Sequence, residues 1–392
     1  MKNKNGFSLI TVIVIICISS IISAITSGII VNNSYRTNNG VNYNSFVSDK
    51  DLNSFLDVYK TILDNYYESV DKKEMINSAI NAMLNYVGDP YTTYMTTEEK
   101  DDLAEQLEGT YKGIGVAING SKIEAVTPDS PAEKAGLLVG DFILAVDGED
   151  VTEYDSAKIA SLIKNSGKKS VTIKIVRGEE EKEFTIDLKE LIVTAQAHKV
   201  IEGTKTGYIA ISIFSNNIAE QFTIALEDLQ DQGIENLIID VRDNSGGYLE
   251  GAEKIASKIL MKNKLIYSLK SKKSSKEYRD KTEESLNIPI VVLINGNSAS
   301  ASEILAAALK DSYGATIIGT KSFGKGKVQQ TYTLGDGSMA KYTSAMWLRP
   351  NGECVDGVGI QPDINVELEV NENNEVIADT QFNKAVEFLN AS

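Results

Sequence analysis

Two short apolar runs, Leu237 to Val241 and Ile288 to Ile294, each followed a few residues later by helical periodicity, constrain this chain more than any other feature. They are too short for core helices and lack the alternation of a half-exposed strand, so they read as strands buried on both faces. Around them the spacing predicts strands over Gly207 to Ile213 and Ala315 to Ile318, and helices over Ile218 to Gln230, Gly251 to Leu260 and Ser302 to Leu309. Residues 191–370 are therefore expected to form an α/β core whose active groups lie at strand ends. The tail, 371–392, is acidic and then helical.

The rest of the chain adds an α+β, multidomain organisation. Between Phe7 and Val31 there is no charged residue, and a helix of that length would span roughly 37 Å, enough for a hydrocarbon core of about 30 Å. Residues 1–31 are expected to be a cytoplasmic N-terminus and a transmembrane helix. Lys2 and Lys4 precede the apolar run, which puts the N-terminus in the cytoplasm and the ectodomain outside it. A cleaved signal peptide is the alternative, but no clean small-x-small cleavage site follows. An asparagine-rich linker occupies 32–47. Residues 48–107 show helical spacing, with Leu52, Phe55, Leu56, Tyr59, Ile62 and Leu63 on one face and Ile76, Ile80, Met83 and Leu84 on another, and predict two or three helices.

Composition excludes several classes of function. The formal net charge of -16 argues against nucleic acid, whose phosphates need a basic surface. Cys17 and Cys354 are too few and too far apart for a disulfide framework or a cysteine metal site. The single histidine, His198, removes the usual zinc-hydrolase spacings and reads as structural or superficial. Neither a metal nor a cofactor is expected.

Residues 108–190 change character. A glycine-bearing turn at Gly113-Ile114-Gly115-Val116 leads into a strand, Ser130-Pro131 starts a short helix that ends at Gly136, and Gly140 to Gly148 is a strand leading to a turn. This block resembles a PDZ domain, a small β-barrel or sandwich with helices. The resemblance implies that backbone N–H groups of Gly113, Ile114, Gly115 and Val116 hold a peptide's C-terminal carboxylate while the peptide adds as a strand.

Three segments of the core hold candidate chemistry. Asn295 to Ser302 is a turn and helix start at the end of a buried strand, a position that lifts a side chain towards free helix N–H groups; Ser300-Ala301-Ser302-Glu303 equally fits a capping box with no further role. Asp240 to Gly247 ends another buried strand in two glycines that allow close backbone approach, either as an oxyanion site or as a plain turn. Gly319 to Lys325 matches the start of a phosphate-binding loop, but Gly326 stands where that motif needs Ser or Thr, and a strand rather than a helix is predicted next.

Taken together and in order, the PDZ block, Asp240 to Gly247, Ser298 to Glu303 and Phe323-Gly324-Lys325-Gly326 with Gln329 resemble the carboxyl-terminal processing proteases, over about Tyr59 to Val370. Asp89-Pro90-Tyr91-Thr92 and Gly357 to Asp363 extend the match. The resemblance implies a peptidase core of the crotonase/Clp-protease type, with Ser300 as nucleophile, Lys325 as base and Gln329 supporting the lysine. It assigns the oxyanion donors to Ala301 N–H and a glycine of the pair Gly246 and Gly247, with Gly246 preferred. Lys327 departs from the small or hydroxyl residue of the family pattern and is expected to point away from Lys325. A lysine base must lose solvation or meet positive charge, since its ordinary pKa of about 10.4 keeps it protonated at neutral pH.

The expected function is that of a membrane-anchored serine endopeptidase that binds the C-terminal tail of protein or peptide substrates and cleaves by a Ser/Lys dyad through an acyl-enzyme. By analogy the helical region and the acidic tail would support a homodimer. An inert PDZ scaffold on a peptidase-like core and a crotonase-like acyl-CoA enzyme are the alternatives.

Overall fold

The computed structural model describes residues 49–373 and 375–391. The expected anchor and linker lie outside them. Among the described residues no helix is long and apolar enough to cross a membrane. The chain divides into a first unit that ends at Ala79 and a second that begins at Ile80.

Helix α1 (Lys50–Asn65) starts where the Asp49 carboxylate accepts the N–H groups of Asp51 and Leu52, satisfying donors that a helix start leaves free. Helix α2 (Lys72–Tyr86) follows. The second unit continues through strand β1 (Thr93–Met95) and helix α3 (Thr97–Glu108), which Thr96 and Glu99 close with a reciprocal capping box.

The PDZ-like block is built from β2 (Thr110–Gly113), β3 (Val116–Asn119), β4 (Lys122–Val126), α4 (Pro131–Ala135), β5 (Phe142–Val146), β6 (Glu149–Asp150), α5 (Ser156–Lys164), β7 (Ser170–Arg177), β8 (Glu180–Asp187) and β9 (Lys189–Ile192). Strands β3-β4-β5-β7-β8 form one sheet with β6 paired to β5, and β2 pairs with β9. Alternation along β7 buries Val171, Ile173 and Ile175 against Ile123, Ile143 and Ile159, as a period of two requires when one face is covered. Ser130 caps α4 and Pro131 occupies its first turn.

The core then runs β10 (Gln196–Val200), β11 (Thr206–Ile211), α6 (Ile218–Asp231), β12 (Asn236–Asp240), α7 (Leu249–Ser257), β13 (Leu265–Ser271), β14 (Ser275–Arg279), β15 (Ile290–Ile294), α8 (Ala301–Ala308), a π-helical turn at Leu309–Tyr313, β16 (Thr316–Gly319), β17 (Lys327–Thr333), β18 (Met339–Leu348), β19 (Ile364–Asn365), β20 (Glu369–Val370), β21 (Val376–Ala378) and α9 (Thr380–Asn390). The central sheet has the order β10-β11-β12-β15-β16-β19, parallel from β11 to β19. Leu237, Ile239, Val292 and Ile317 face one core with α6, α7 and α8, while Ile238, Val291, Leu293 and Ile318 face a second core with α9. Both faces are covered, which is why these strands are apolar without alternation.

A second sheet, β1-β18-β13-β14 with β17 on β18, packs beside it and is antiparallel. Residues 93–95, expected within the helical region, form β1 and pair with β18 in this sheet. The tail also departs from expectation, since the β20-β21 hairpin precedes its helix.

Candidate active site

The site forms where β12 and β15, adjacent and parallel, both reach their C-terminal ends. The turns that follow are laced together. Ser298 Oγ donates to Val241 O at 2.8 Å, Ala299 N–H to Asn244 O at 3.0 Å and Ser302 Oγ to Asn244 O at 2.8 Å. Asp243 Oδ1 accepts both Asn295 Nδ2 and Asn297 Nδ2, and these bonds, from Asn297 first, hold its carboxyl below the usual range. Two of the three serines in the segment thus spend their hydroxyls on backbone carbonyls.

Ser300 is different. It sits at φ 56° and ψ -113° at the head of α8, a left-handed backbone that a residue with a Cβ adopts only when the surroundings impose it. The turn presents the side chain beside Gly246. A Cβ added to Gly246 would lie 2.8 Å from Ala299 O, 2.8 Å from Ser300 Cβ and 3.1 Å from Ala301 N, so only glycine lets the two turns approach this closely. Gly246 is itself engaged: its N–H donates to Asn244 Oδ1 at 2.9 Å and its carbonyl accepts Phe214 N–H at 2.8 Å. Gly247, at φ 137°, bridges Phe214, and a Cβ there would strike Phe214 O at 2.3 Å. Among the described residues Gly247 N–H makes no hydrogen bond, whereas Gly246 N–H is engaged.

Glu303 joins this helix start to the lysine loop. Its carboxylate is fully buried and accepts four donors: Ser300 N–H at 2.9 Å, Ser322 Oγ at 2.6 Å, Gly324 N–H at 2.7 Å and Lys325 N–H at 2.8 Å. The capping glutamate read from the sequence is therefore also a clamp that ties the backbone of Ser300 to that of Lys325. Trp347, fully buried, holds the other side of the loop, donating Nε1–H to Lys325 O and N–H to Gly326 O.

The Lys325 side chain is largely enclosed. Burial, and next the charge of Lys341, lower its pKa below the ordinary lysine value against an opposing pull from Glu303. Its Nζ lies 5.1 Å from the centre of the Tyr91 ring and makes no hydrogen bond to Ser300 Oγ or to Gln329. Gln329 Nε2 instead approaches Thr343 Oγ1 at 3.4 Å. Lys327 Nζ lies 5.6 Å from the same Tyr91 ring and pairs with Asp89 at 3.0 Å. The expectation that Lys327 points away from Lys325 is thus overturned, because residues two apart in extended chain share a face. Asp89, Tyr91 and Thr343 escaped the sequence reading as parts of the site.

The other candidates fall elsewhere. Gly113, Ile114 and Gly115 are buried and Val116 half-buried at the β2–β3 turn, where Ile114 O accepts Ala132 N–H and Gly115 O accepts Thr127 N–H. At Gly115, φ 90°, a Cβ would meet Ser130 Cβ at 2.3 Å, so the turn is fixed against the start of α4. His198, on β10, bonds Gln196 and Asp228 of α6, away from Ser300 and Lys325. Residues 320–326 are loop and β17 follows, so no helix start is present for a nucleotide phosphate. A cavity of about 530 Å³ lined by Tyr208, Asp240, Arg242, Asp243 and Asn295 lies behind the Asp243 turn, and none of Ser300, Lys325 and Gln329 lines it.

Comparison with known proteins gives matches over most of the chain. The model of peptidase family S41 matches residues 205–366, that of the PDZ domain residues 122–177, and that of the N-terminal domain of the activating protease CtpB residues 25–99. The carboxy-terminal processing protease CtpB of Bacillus subtilis (strain 168) is 36% identical over 327 residues, covering 81% of this chain and 68% of that protein. A probable CtpA-like serine protease of Staphylococcus aureus (strain COL) is 32% identical over 337 residues, covering 84% and 68%. Among solved structures, the photosystem II D1 C-terminal processing protease aligns over 82% of this chain and 88% of its own at 25% identity and a TM-score of 0.49.

Proposed function

This chain belongs to the carboxy-terminal processing proteases of peptidase family S41, and from that premise we propose that it is a serine endopeptidase working through a Ser300/Lys325 dyad on substrates captured by their C-terminal tails. One observation carries the dyad: the buried Glu303 carboxylate bonds the N–H of Ser300 and the N–H of Lys325 at once, fixing two residues 25 positions apart in one site.

In the mechanism this geometry supports, Lys325 moves from its station over Tyr91 to Ser300 and takes the hydroxyl proton. Its lowered pKa makes the neutral amine accessible. Ser300 Oγ bonds to the scissile carbonyl carbon, and the oxyanion accepts Gly247 N–H and Ala301 N–H. The tetrahedral adduct collapses, the C–N bond breaks, and the Lys325 ammonium returns its proton to the leaving amine. Water, deprotonated by Lys325, then attacks the acyl-enzyme and releases Ser300. The turn at 113–116 would hold the substrate's terminal carboxylate through its backbone N–H groups.

A fluorophosphonate probe tests the nucleophile. Wild type is expected to be labelled and Ser300→Ala to lose labelling, whereas equal labelling of both removes Ser300 from the mechanism. We further propose that residues 7–31 anchor the protein with the described residues outside the cytoplasm, and that it works as a homodimer. Full-length protein should then sediment with membranes and lose that behaviour without residues 1–31, and light scattering of the shortened chain should give twice the chain mass. Sedimentation unchanged by the deletion, or a monomer mass, contradicts the respective claim.

A further inference from the structure

Asp89 is a largely enclosed carboxylate that the mechanism above leaves unused. It lies in the turn before β1, and its side chain is 10% exposed. Its Oδ2 accepts the Thr343 hydroxyl at 2.5 Å and the Thr92 hydroxyl at 2.7 Å; its Oδ1 accepts Lys327 Nζ at 3.0 Å and Tyr91 N–H at 3.5 Å. Burial alone would raise its pKa, but the bonds from Thr343, Thr92 and Lys327 outweigh it and hold the carboxyl down at about 2. Asp89 is therefore ionised at any working pH and accepts only.

That fact sets the direction of every neighbouring bond. A threonine hydroxyl has one proton to give. Thr343 gives it to Asp89, so towards Gln329 it acts only as acceptor, and what it accepts is Gln329 Nε2–H at 3.4 Å. With its amide nitrogen committed there, Gln329 presents its carbonyl Oε1 on the opposite side, and Oε1 bonds no described residue. An amine N–H needs such an acceptor; the NH2 end of the amide would repel it. The arrangement depends on a register shift in which Gln329 pairs with Thr343 while its neighbour Val328 pairs with Ala345, leaving Ser344 as the extra residue of β18. Asp89 also neutralises Lys327, the second ammonium at the Tyr91 ring.

We propose that Asp89 is a positioning residue that acts through Thr343 to hold the Gln329 amide with its carbonyl free for the amine of Lys325. This rests on the Ser300/Lys325 reading, and the side chains facing Lys325 are Tyr91, Glu303 and Lys341.

The rate at which a fluorophosphonate acylates the full-length protein tests the relay in a double-mutant cycle. Asp89→Asn and Gln329→Ala should each slow acylation about tenfold, the effect of losing one bond to a charged group, and the double variant should be no slower than Gln329→Ala alone. Thr343→Val, which keeps shape and removes the hydroxyl, should match Asp89→Asn, and Thr343→Ser should restore the wild-type rate. Multiplying losses in the double variant, or a wild-type rate in Thr343→Val, overturns the relay. If Asp89→Asn fails to fold, the comparison of Thr343→Val with Thr343→Ser decides alone. Labelling that survives Ser300→Ala would instead mean that the dyad reading has failed, whatever the cycle gives.

Discussion

Lys325 carries the electrostatic cost of the site. Its amine is largely enclosed and faces Lys341, and burial with that charge outweighs the pull of Glu303, while the Tyr91 ring beneath it favours the ammonium. The folded protein therefore binds this proton less tightly than the unfolded chain does. Between the lowered folded pKa and the ordinary value near 10.5 the unfolded state holds more protons, so stability rises with pH through that window. Lys325→Met keeps the aliphatic bulk and removes the charge. It should raise the unfolding free energy measured by urea titration at neutral pH, by about 1.4 kcal/mol for each tenfold by which folding weakens proton binding at Lys325. The gain should shrink as pH climbs through the window and vanish above it. A gain that is the same at every pH would mean that packing and not charge is responsible. Ser300 pays in a different form, a left-handed backbone, and that strain separates it from Ser298 and Ser302, whose hydroxyls are structural.

At the scale of elements, what the sequence revealed depended on burial. β12 and β15 are covered on both faces and so appear as unbroken apolar runs, and with them came the turns that bear Ser300 and Gly246-Gly247. The antiparallel sheet left a far weaker trace. β14 reads SKEYR, a largely exposed strand with little apolar signal; β17 is the strand expected after Lys325, and β18 pairs both with this hairpin neighbour and with the distant β1 and β13. The same limit hid the second half of the site. That Glu303 caps a helix follows from its spacing, but that it also binds Gly324 and Lys325 depends on a loop more than twenty residues on. Asp89 reaches Thr343 across 254 positions, and the shift that sets Thr343 opposite Gln329 has no local signature. Lys327 departs from expectation for a simpler reason, since residues two apart in extended chain share a side, and both amines meet at the Tyr91 ring.

In the molecule as a whole, the PDZ-like block and the core belong to one unit. Where α3 ends and that block begins, core residues bond it, Asn217 Nδ2 to Gly109 O and Asn216 Nδ2 to Glu108. The backbone of the site is assembled, with Glu303 and Trp347 fixing the lysine loop, while the Lys325 amine has yet to meet Ser300. On the proposed dyad, Ser300 rests until the Lys325 side chain turns towards it, and a ligand that favours the closed arrangement would raise activity only by its difference in affinity for the two states. The proposed chemistry stands or falls on the lysine as base. The most direct measurement is the rate of fluorophosphonate acylation against pH for wild type and Lys325→Arg, both with Ser300 intact. The dyad predicts a wild-type rate that rises with pH to a plateau through a pKa below the ordinary lysine value, and no measurable acylation in Lys325→Arg, because arginine stays protonated. Substantial acylation by the arginine variant would contradict it.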